Sequence, residues 1–352
     1  MAKNNIIKRL FSKNSITIYI VVAIYAAIST MLYTGNLSRQ LTNMVISVSC
    51  YVVLAVSLNL VVGFLGELSL GHACFMSVGL FSGCIFSVVT REMLPLVVRL
   101  PISMVVGGIF AAVVGFIVGL PALRLKGDYL AIVTLACGEI VNNAITNLNI
   151  VNEDIGLKME GAVGLNTGTI YLRTKELLPY AIVLVFITII VMMNIGKSKA
   201  GRNIMAIRDN RIAAESIGIN ITYYKLIVFI LAAFFAGMAG TLYGHSLANI
   251  KATTFNYNMS IEILVIVVLG GMGSVRGSVI AAIILRVLPE LLREFSDYRM
   301  LVYSVLLIVI MILNANPRFA EFKGQWSIKN IVAKIKKNRS EKITAEEGAS
   351  NE

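Results

Sequence analysis

The sequence predicts an all-α fold, a polytopic integral membrane bundle of about ten transmembrane helices. Three observations carry this expectation. Of the 352 residues, 57% are hydrophobic and only 14% are charged, with a mean hydropathy of +0.81, well above an ordinary soluble domain. Apolar runs near the ~20 residues a helix needs to cross a bilayer recur along the chain, each bounded by a polar or Gly/Pro break. The charges gather at the two ends and in one central segment.

Taken in order, residues 1–15 hold Lys3, Lys8, Arg9 and Lys13 with no acid, a basic N-terminus that the positive-inside rule puts in the cytoplasm. Spans follow at 16–34, 41–63, 68–90, 100–120, 129–146 and 178–195. The first run is too long for the core of a signal peptide and has no clear small-x-small site behind it, so it is expected to stay as a span. Six crossings bring 197–225 back inside. Its Lys197, Lys199, Arg202, Arg208, Arg211 and Lys225, against Asp209 and Glu215, demand the same side. The loop 147–177 is then the longest one expected outside. Beyond Lys225 come 226–247, 260–271, 277–292 and 300–313. Counting all four returns the basic tail, 314–352, to the cytoplasm, whereas merging 260–271 with 277–292 would strand it outside. The transmembrane domain is therefore read as 16–313, in the plasma membrane, with both termini cytoplasmic.

The 31 Lys and Arg against 19 Asp and Glu raise the question of nucleic acid, but their placement answers it. Basic flanks of spans orient the chain and touch anionic membrane lipid. Cys50, Cys74, Cys84 and Cys137 fall in apolar stretches without C-x-x-C spacing and read as small buried hydrophobes, so no metal site is expected. Small residues recur every four positions at Gly107, Ala111, Gly115 and Gly119, and at Ala236, Gly240 and Gly244, marking seams where helix backbones approach closely.

In 201–220, GRNIMAIRDNRIAAESIGIN, helix formers from Asn203 to Ile217 followed by Gly218 predict one short helix outside the bilayer. Ile204, Ile207, Ala214 and Ile217 form an apolar stripe interrupted by Arg211. Pattern alone fits two roles equally, an interfacial helix resting on lipid or a rigid knob that passes a motor's movement to the spans.

That stretch resembles the coupling segment of permeases in ATP-binding cassette (ABC) importers, where an Ala/Glu-rich helix ending in Gly, here AAESIG at 213–218, fits a groove on the ATPase subunit. Three further strings resemble the branched-chain amino-acid permease family of the LivHM type, nearest to LivM: GELSLGHACFMSVGLFSG from Gly66, LRLKGDYLAIVTLACGEIV from Leu123, and VVLGGMGSVRGSVIAA from Val267. The resemblance runs from about residue 41 to 313, with the four strings in the family's order. Glu67 departs from it, since many relatives are expected to carry Gln there. The resemblance implies an ABC importer permease fold and a complex of two related permeases sharing one path, two cytoplasmic ABC ATPase subunits and an extracellular substrate-binding protein. It implies a coupling role for Arg208, Ala213, Ala214, Glu215 and Gly218, and a gate or turn at Gly270, Gly271, Gly273 and Ser274. This chain would import leucine, isoleucine or valine as one of the two permeases. It is not read as an enzyme and no catalytic residues are assigned. No cofactor is expected on the chain itself, and ATP would be used by the partners. Gly196, Lys197 and Ser198 spell GKS, but Val191 stands where a phosphate-binding loop needs its first Gly.

Polar residues inside spans are costly and are the first candidates for a translocation path. Glu139, Asn142 and Asn143 share one face of the span from residue 129, with Thr146, and Ser69, His72 and Ser77 follow Gly66. Hydrogen-bond glue between helices is the competing role for most of them. The rival function is an ion- or proton-coupled secondary amino-acid transporter, using Glu139, Glu67 and Glu262, which has no use for a docking helix. A membrane-embedded enzyme ranks far below, with only His72 and His245 available and no metal triad or Ser/His/Asp set.

Overall fold

The computed structural model describes residues 39–122, 127–152, 157–160 and 164–292, together with residues 30, 125, 301, 302, 304, 305, 308 and 312. The basic termini lie outside the described residues, as do all of the expected span 16–34 but residue 30 and more than half of the expected span 300–313. The chain divides into two compact units, Met1–Leu288 and Pro289–Glu352, and the account below is of the first.

Helix α1, Arg39–Asn59, widens into a π-helical turn at Leu60–Leu65 and stops at Gly66, whose φ of 77° is a left-handed conformation suited to glycine. Helices α2 (His72–Val89), α3 (Leu96–Ala122) and α4 (Asp128–Thr146) follow. After a short β-segment come α5 (Thr174–Lys197), α6 (Lys199–Asp209), α7 (Arg211–Ser216), α8 (Ile221–His245), α9 (Tyr257–Gly270) and α10 (Val275–Leu291). Among the described residues seven helices are long and apolar enough to cross a membrane: Met44–Leu65, His72–Val89, Leu96–Ala122, Asp128–Thr146, Thr174–Lys197, Ile221–His245 and Ala252–Gly270. They match seven of the eight spans expected between residues 41 and 292. The eighth, at 277–292, is the 17-residue α10, which falls short on length.

The 147–177 segment is more than the loop expected. Strands β1 (Asn149–Asn152), β2 (Leu157–Glu160) and β3 (Gly164–Asn166) join β4 (Asn249–Ile250), from the α8–α9 connection, in an antiparallel sheet of order β1-β2-β3-β4. Leu165 pairs with Ile250, and Met159, Leu165 and Ile250 are buried. The strands are too short, and share too little alternation, to show in a hydrophobicity reading. The sheet and the α6–α7 pair lie at opposite ends of α5.

Helix α8 is the hub, packed against α3, α2 and α1. Close approach is bought with glycine. A Cβ on Gly237 would sit 2.7 Å from the Gly107 carbonyl oxygen, and one on Gly115 would sit 2.7 Å from the Ala233 Cβ. Thr241 of α8 donates to the Gly79 carbonyl at 2.8 Å. The expected seam at Gly107, Ala111 and Gly115 therefore faces α8, and Gly240 abuts the backbone of Met76. Gly79 and Gly83 on α2 complete the three-way contact, although the sequence pattern had not singled them out. With lipid as apolar as the side chains, such packing and interhelical hydrogen bonds, more than hydrophobic burial, hold the spans together. The opposite face of α3, with Ile109, Phe110, Val113, Phe116 and Ile117, is exposed, as a lipid-facing surface must be.

One ion pair ties the start of α8 to the end of α1. Lys225, only 2% exposed, pairs with Glu67, just past the π-helical turn. Glu67, the departure from the family's expected Gln, thus has a charge-dependent role in the fold.

Two outcomes follow from this packing. Gly237→Leu forces α8 off α3, and overpacking of this kind costs about 1–3 kcal/mol, so the melting temperature in detergent should fall, while Ile109→Ala on the exposed face leaves it unchanged. Lys225→Met strands the Glu67 carboxylate and should cost on the order of 3 kcal/mol, most of it restored in Lys225→Met/Glu67→Gln, as read by thermal denaturation of the purified protein.

Candidate coupling site and intramembrane polar residues

The segment expected to be one helix from Asn203 to Ile217 is two. Asn210 breaks it: its backbone is extended, and its Oδ1 accepts from the Ala213 amide at 3.1 Å, capping α7. An Asn inside a run of helix formers reads as a weak helix residue, and only the cap reveals the break. Ser198 caps α6 in the same way, accepting from Gly201 N at 3.0 Å, and Asn220 caps α8, accepting from Tyr223 N at 3.1 Å. Gly218, φ 84°, ends α7 as expected. Its amide bonds the Glu215 carbonyl, and the Ile219 amide bonds that of Ala214, the paired pattern of a left-handed C-terminal stop. Three successive caps and one glycine stop make this a short, stiff bracket.

Ile204 and Ile207 of α6 and Ala214 of α7 are buried, but Ile217, expected on the same stripe, is 74% exposed. The kink at Asn210 resets the helical phase, so α7 presents Ile212, Ala213, Glu215 and Ile217 outward. Asn203 Nδ2 donates to the Tyr224 hydroxyl at 2.8 Å, tying α6 to α8.

Arg208 links this bracket to the membrane helices. Its Nη1 donates to the Gly63 carbonyl at 2.9 Å, its stem lies over Gly66, and Asp209 accepts from Nε and Nη2 at 3.2 and 3.1 Å. The turn between α9 and α10 meets the same point. Gly270, Gly271, Gly273 and Ser274 form that reversal, with φ of 92° at Gly271 and 80° at Gly273. The Gly273 amide donates to Asn59 Oδ1 at 2.8 Å, and Ser274 Oγ accepts from the Gly277 amide at 3.2 Å. A cavity of about 280 Å³ opens beside the junction, lined by Phe64, Lys197, Gly273, Ser274 and Arg276 among others. Tertiary folding therefore brings together two groups of residues that lie far apart in sequence, the bracket's Arg208 and the glycine turn.

The candidate path residues do not converge in one place. His72 is buried and its Nε2 lies 2.9 Å from Ser57 Oγ. Ser57 already donates to the Leu54 carbonyl, so Nε2–H is the donor in this contact. His245 is similarly satisfied by Ser87 and the Thr241 carbonyl. Ser69, Ser77 and Asn142 are buried with no partner for Ser69 Oγ, Ser77 Oγ or Asn142 Oδ1 among the described residues. Asn143 is exposed. Glu139 is half-buried and accepts the Tyr257 amide at 3.0 Å, where its charge suits the N-terminus of α9. Asn142 and Asn143 are consecutive and point apart, one buried and one exposed, so α4 does not present the pair as one polar face. Among the described residues no cluster of three His, Cys, Asp or Glu side chains forms a metal site.

Two charged residues that form ion pairs among the helices escaped the sequence reading, Lys225 and Arg286. Lys225 resembled an ordinary basic flank at a span's start. Arg286 lies within the apolar run 277–292 and pairs with Glu262, a residue weighed only for the rival transporter. A charge inside a span is itself the signal that could have found it.

Comparisons with known proteins give the chain's family. Residues 40–313 match the family described as branched-chain amino acid transport system / permease component. The chain is 33% identical over 308 residues to the high-affinity branched-chain amino acid transport system permease protein LivM of Escherichia coli strain K12, covering 81% of this chain and 71% of that protein. It is 27% identical over 199 residues to a probable LivM of Methanocaldococcus jannaschii, covering 54% and 57%. It is also 24% identical over 315 residues to the ribose import permease protein RbsC of Haemophilus influenzae, covering 86% and 92%. No solved structure matches the chain. With a family match across most of its length, seven membrane-length helices and a LivM relative at one-third identity, the chain belongs to the branched-chain amino-acid transport permease family, a multi-pass membrane protein and a transport subunit.

Proposed function

We propose that the chain is the permease subunit of an ABC importer for leucine, isoleucine and valine. It shares a translocation path with a second homologous permease, receives substrate from an extracellular binding protein, and is driven by two cytoplasmic ATPase subunits. The observation that carries this reading is the α6–α7 bracket, stiffened by three caps and bonded through Arg208 to the end of α1. Ile212 and Ile217, 81% and 74% exposed, stand on its outer side beside Glu215 and form a small apolar contact suited to a groove on another protein. An unsupported loop would absorb a motor's movement, whereas this bracket passes it to Gly63 and, through Asn59, to the glycine turn. The path of force runs from α7 to α6, then to the π-helical turn and the α9–α10 reversal.

The cytoplasmic side belongs to the bracket because Lys197, Lys199, Arg202, Arg208 and Arg211 lie within or beside it. Both termini would share that side. ATP is hydrolysed on the partners, and this chain converts the motion into access to the path. The E. coli relative, a branched-chain amino acid permease by name and the more similar of the two, favours branched-chain amino acids over the ribose of the H. influenzae one.

In the reconstituted complex, Ile212→Asp/Ile217→Asp should lower ATP-dependent leucine uptake at least about tenfold and weaken ATPase capture, with the melting temperature unchanged, because both side chains are already in solvent. Ala214 is a poorer site for this test, being 2% exposed, so a charge there would disturb the bracket itself. Uptake that persists with both ATPase subunits deleted favours the secondary transporter, and labelling that places Glu215 outside the cell overturns the docking site.

A further inference from the structure

A charged pair lies deep in the helices, away from the junction. Glu262 of α9 and Arg286 of α10 meet at 3.3 Å, Oε1 to Nη1. Both are held by α1. Tyr51 donates its hydroxyl to Glu262 Oε2 at 3.2 Å, its ring lies 4.2 Å beneath the Arg286 guanidinium, and Arg286 Nε donates to Ser47 Oγ at 3.1 Å. At ~1.5 Å per helical residue, Glu262 is about 12 Å from Gly270, Arg286 about 16 Å from Val275, and Tyr51 about 18 Å from Gly63. Three helices thus place the cluster about half of the ~30 Å hydrocarbon thickness from the junction end.

Two features separate this pair from a buried structural clasp. Its side chains are 31% and 29% exposed, so the pair is not sealed inside the fold. Lipid contact is costly for two ions at this depth, and ionisable residues within spans almost always face the bundle interior or a water-filled cavity. The pair also meets through one nitrogen and one oxygen, short of the two-pronged clasp that guanidinium and carboxylate frequently form, with Glu262 Oε2 and Arg286 Nε turned to Tyr51 and Ser47 instead.

Resting on the import reading above, we propose that Glu262 and Arg286 form a site for the zwitterionic head of an amino acid in transit, Arg286 taking the carboxylate and Glu262 the ammonium. A zwitterion brings to the membrane interior the same two charges that the empty site already pairs. Opening the Glu262–Arg286 contact and closing each partner on the ligand changes no net charge, so desolvation of the pair is repeated for neither state. Tyr51 and Ser47 keep both side chains oriented while the contact is open, which sets the direction in which the ligand's head is read. The aliphatic side chain then points away from the α1 anchors. Neutral cargo without both charges would have to leave the pair closed.

The test uses the complete complex, with both permeases, both ATPases and the binding protein, in proteoliposomes supplied with ATP and labelled leucine. Glu262→Gln and Arg286→Lys should each lower uptake by about tenfold or more, since one removes the ammonium's counter-ion and the other the planar fork. The exchanged pair Glu262→Arg/Arg286→Glu should assemble, with a lower melting temperature because Tyr51 and Ser47 then face the wrong charges, and should not regain uptake. Uptake restored by the exchange, including the case in which the single variants fail to assemble, makes the pair structural and overturns the site. Wild-type uptake in both single variants overturns the site alone and leaves the import reading standing. A wild-type complex that carries amides or urea and no amino acid overturns both.

Discussion

The hydrogen bond from Arg208 to the carbonyl of Gly63 is the contact on which the proposed mechanism depends. The last carbonyls of a helix lack intrahelical partners, and a π-helical turn displaces them further from the regular ladder. Arg208 satisfies one of them from a segment 145 residues away, and its positive charge suits the negative end of the α1 dipole. Nearby, Asn59 reaches across the same turn to the Gly273 amide, so three pieces of chain share one small knot. Gly63 must lack a side chain there, because a Cβ would collide with Asn59 and Gly273.

Away from that knot, the molecule follows from the scarcity of polar partners in lipid. Ser49, Ser82, Thr90, Thr146 and Thr188 each return their hydroxyl to a carbonyl one turn back, and both histidines end on a Ser hydroxyl. Lys225 with Glu67, and Arg286 with Glu262, meet as ion pairs. The first pair is shut inside the fold and serves packing. The second is open on one side, and this difference in exposure is the basis for assigning it a ligand.

Much of the architecture was legible in the chain's own pattern. Seven apolar runs became membrane-length helices because a bilayer leaves a 20-residue apolar stretch almost no other structure. Gly218 was legible as a helix stop because only glycine adopts its conformation cheaply, and Gly107, Ala111 and Gly115 as a seam because their spacing is that of one helix face. The candidate path was less legible. Glu139 caps another helix, Asn143 faces outward, and His72 is held by Ser57, because a polar residue's spacing on its own helix says nothing of which neighbour satisfies it.

Composition and periodicity by themselves determined that this is a multi-span helical membrane protein with a basic bracket between two spans, since hydropathy and charge act locally and along the chain. Tertiary structure alone decided that Asn210 splits the bracket, that four short strands close the far end, and that Arg208, Gly63 and Gly273 meet at one point. It alone also set Arg286 against Glu262 and Tyr51. These contacts join residues that lie far apart in the chain, and their partners are chosen by how helices pack, a choice no local pattern encodes.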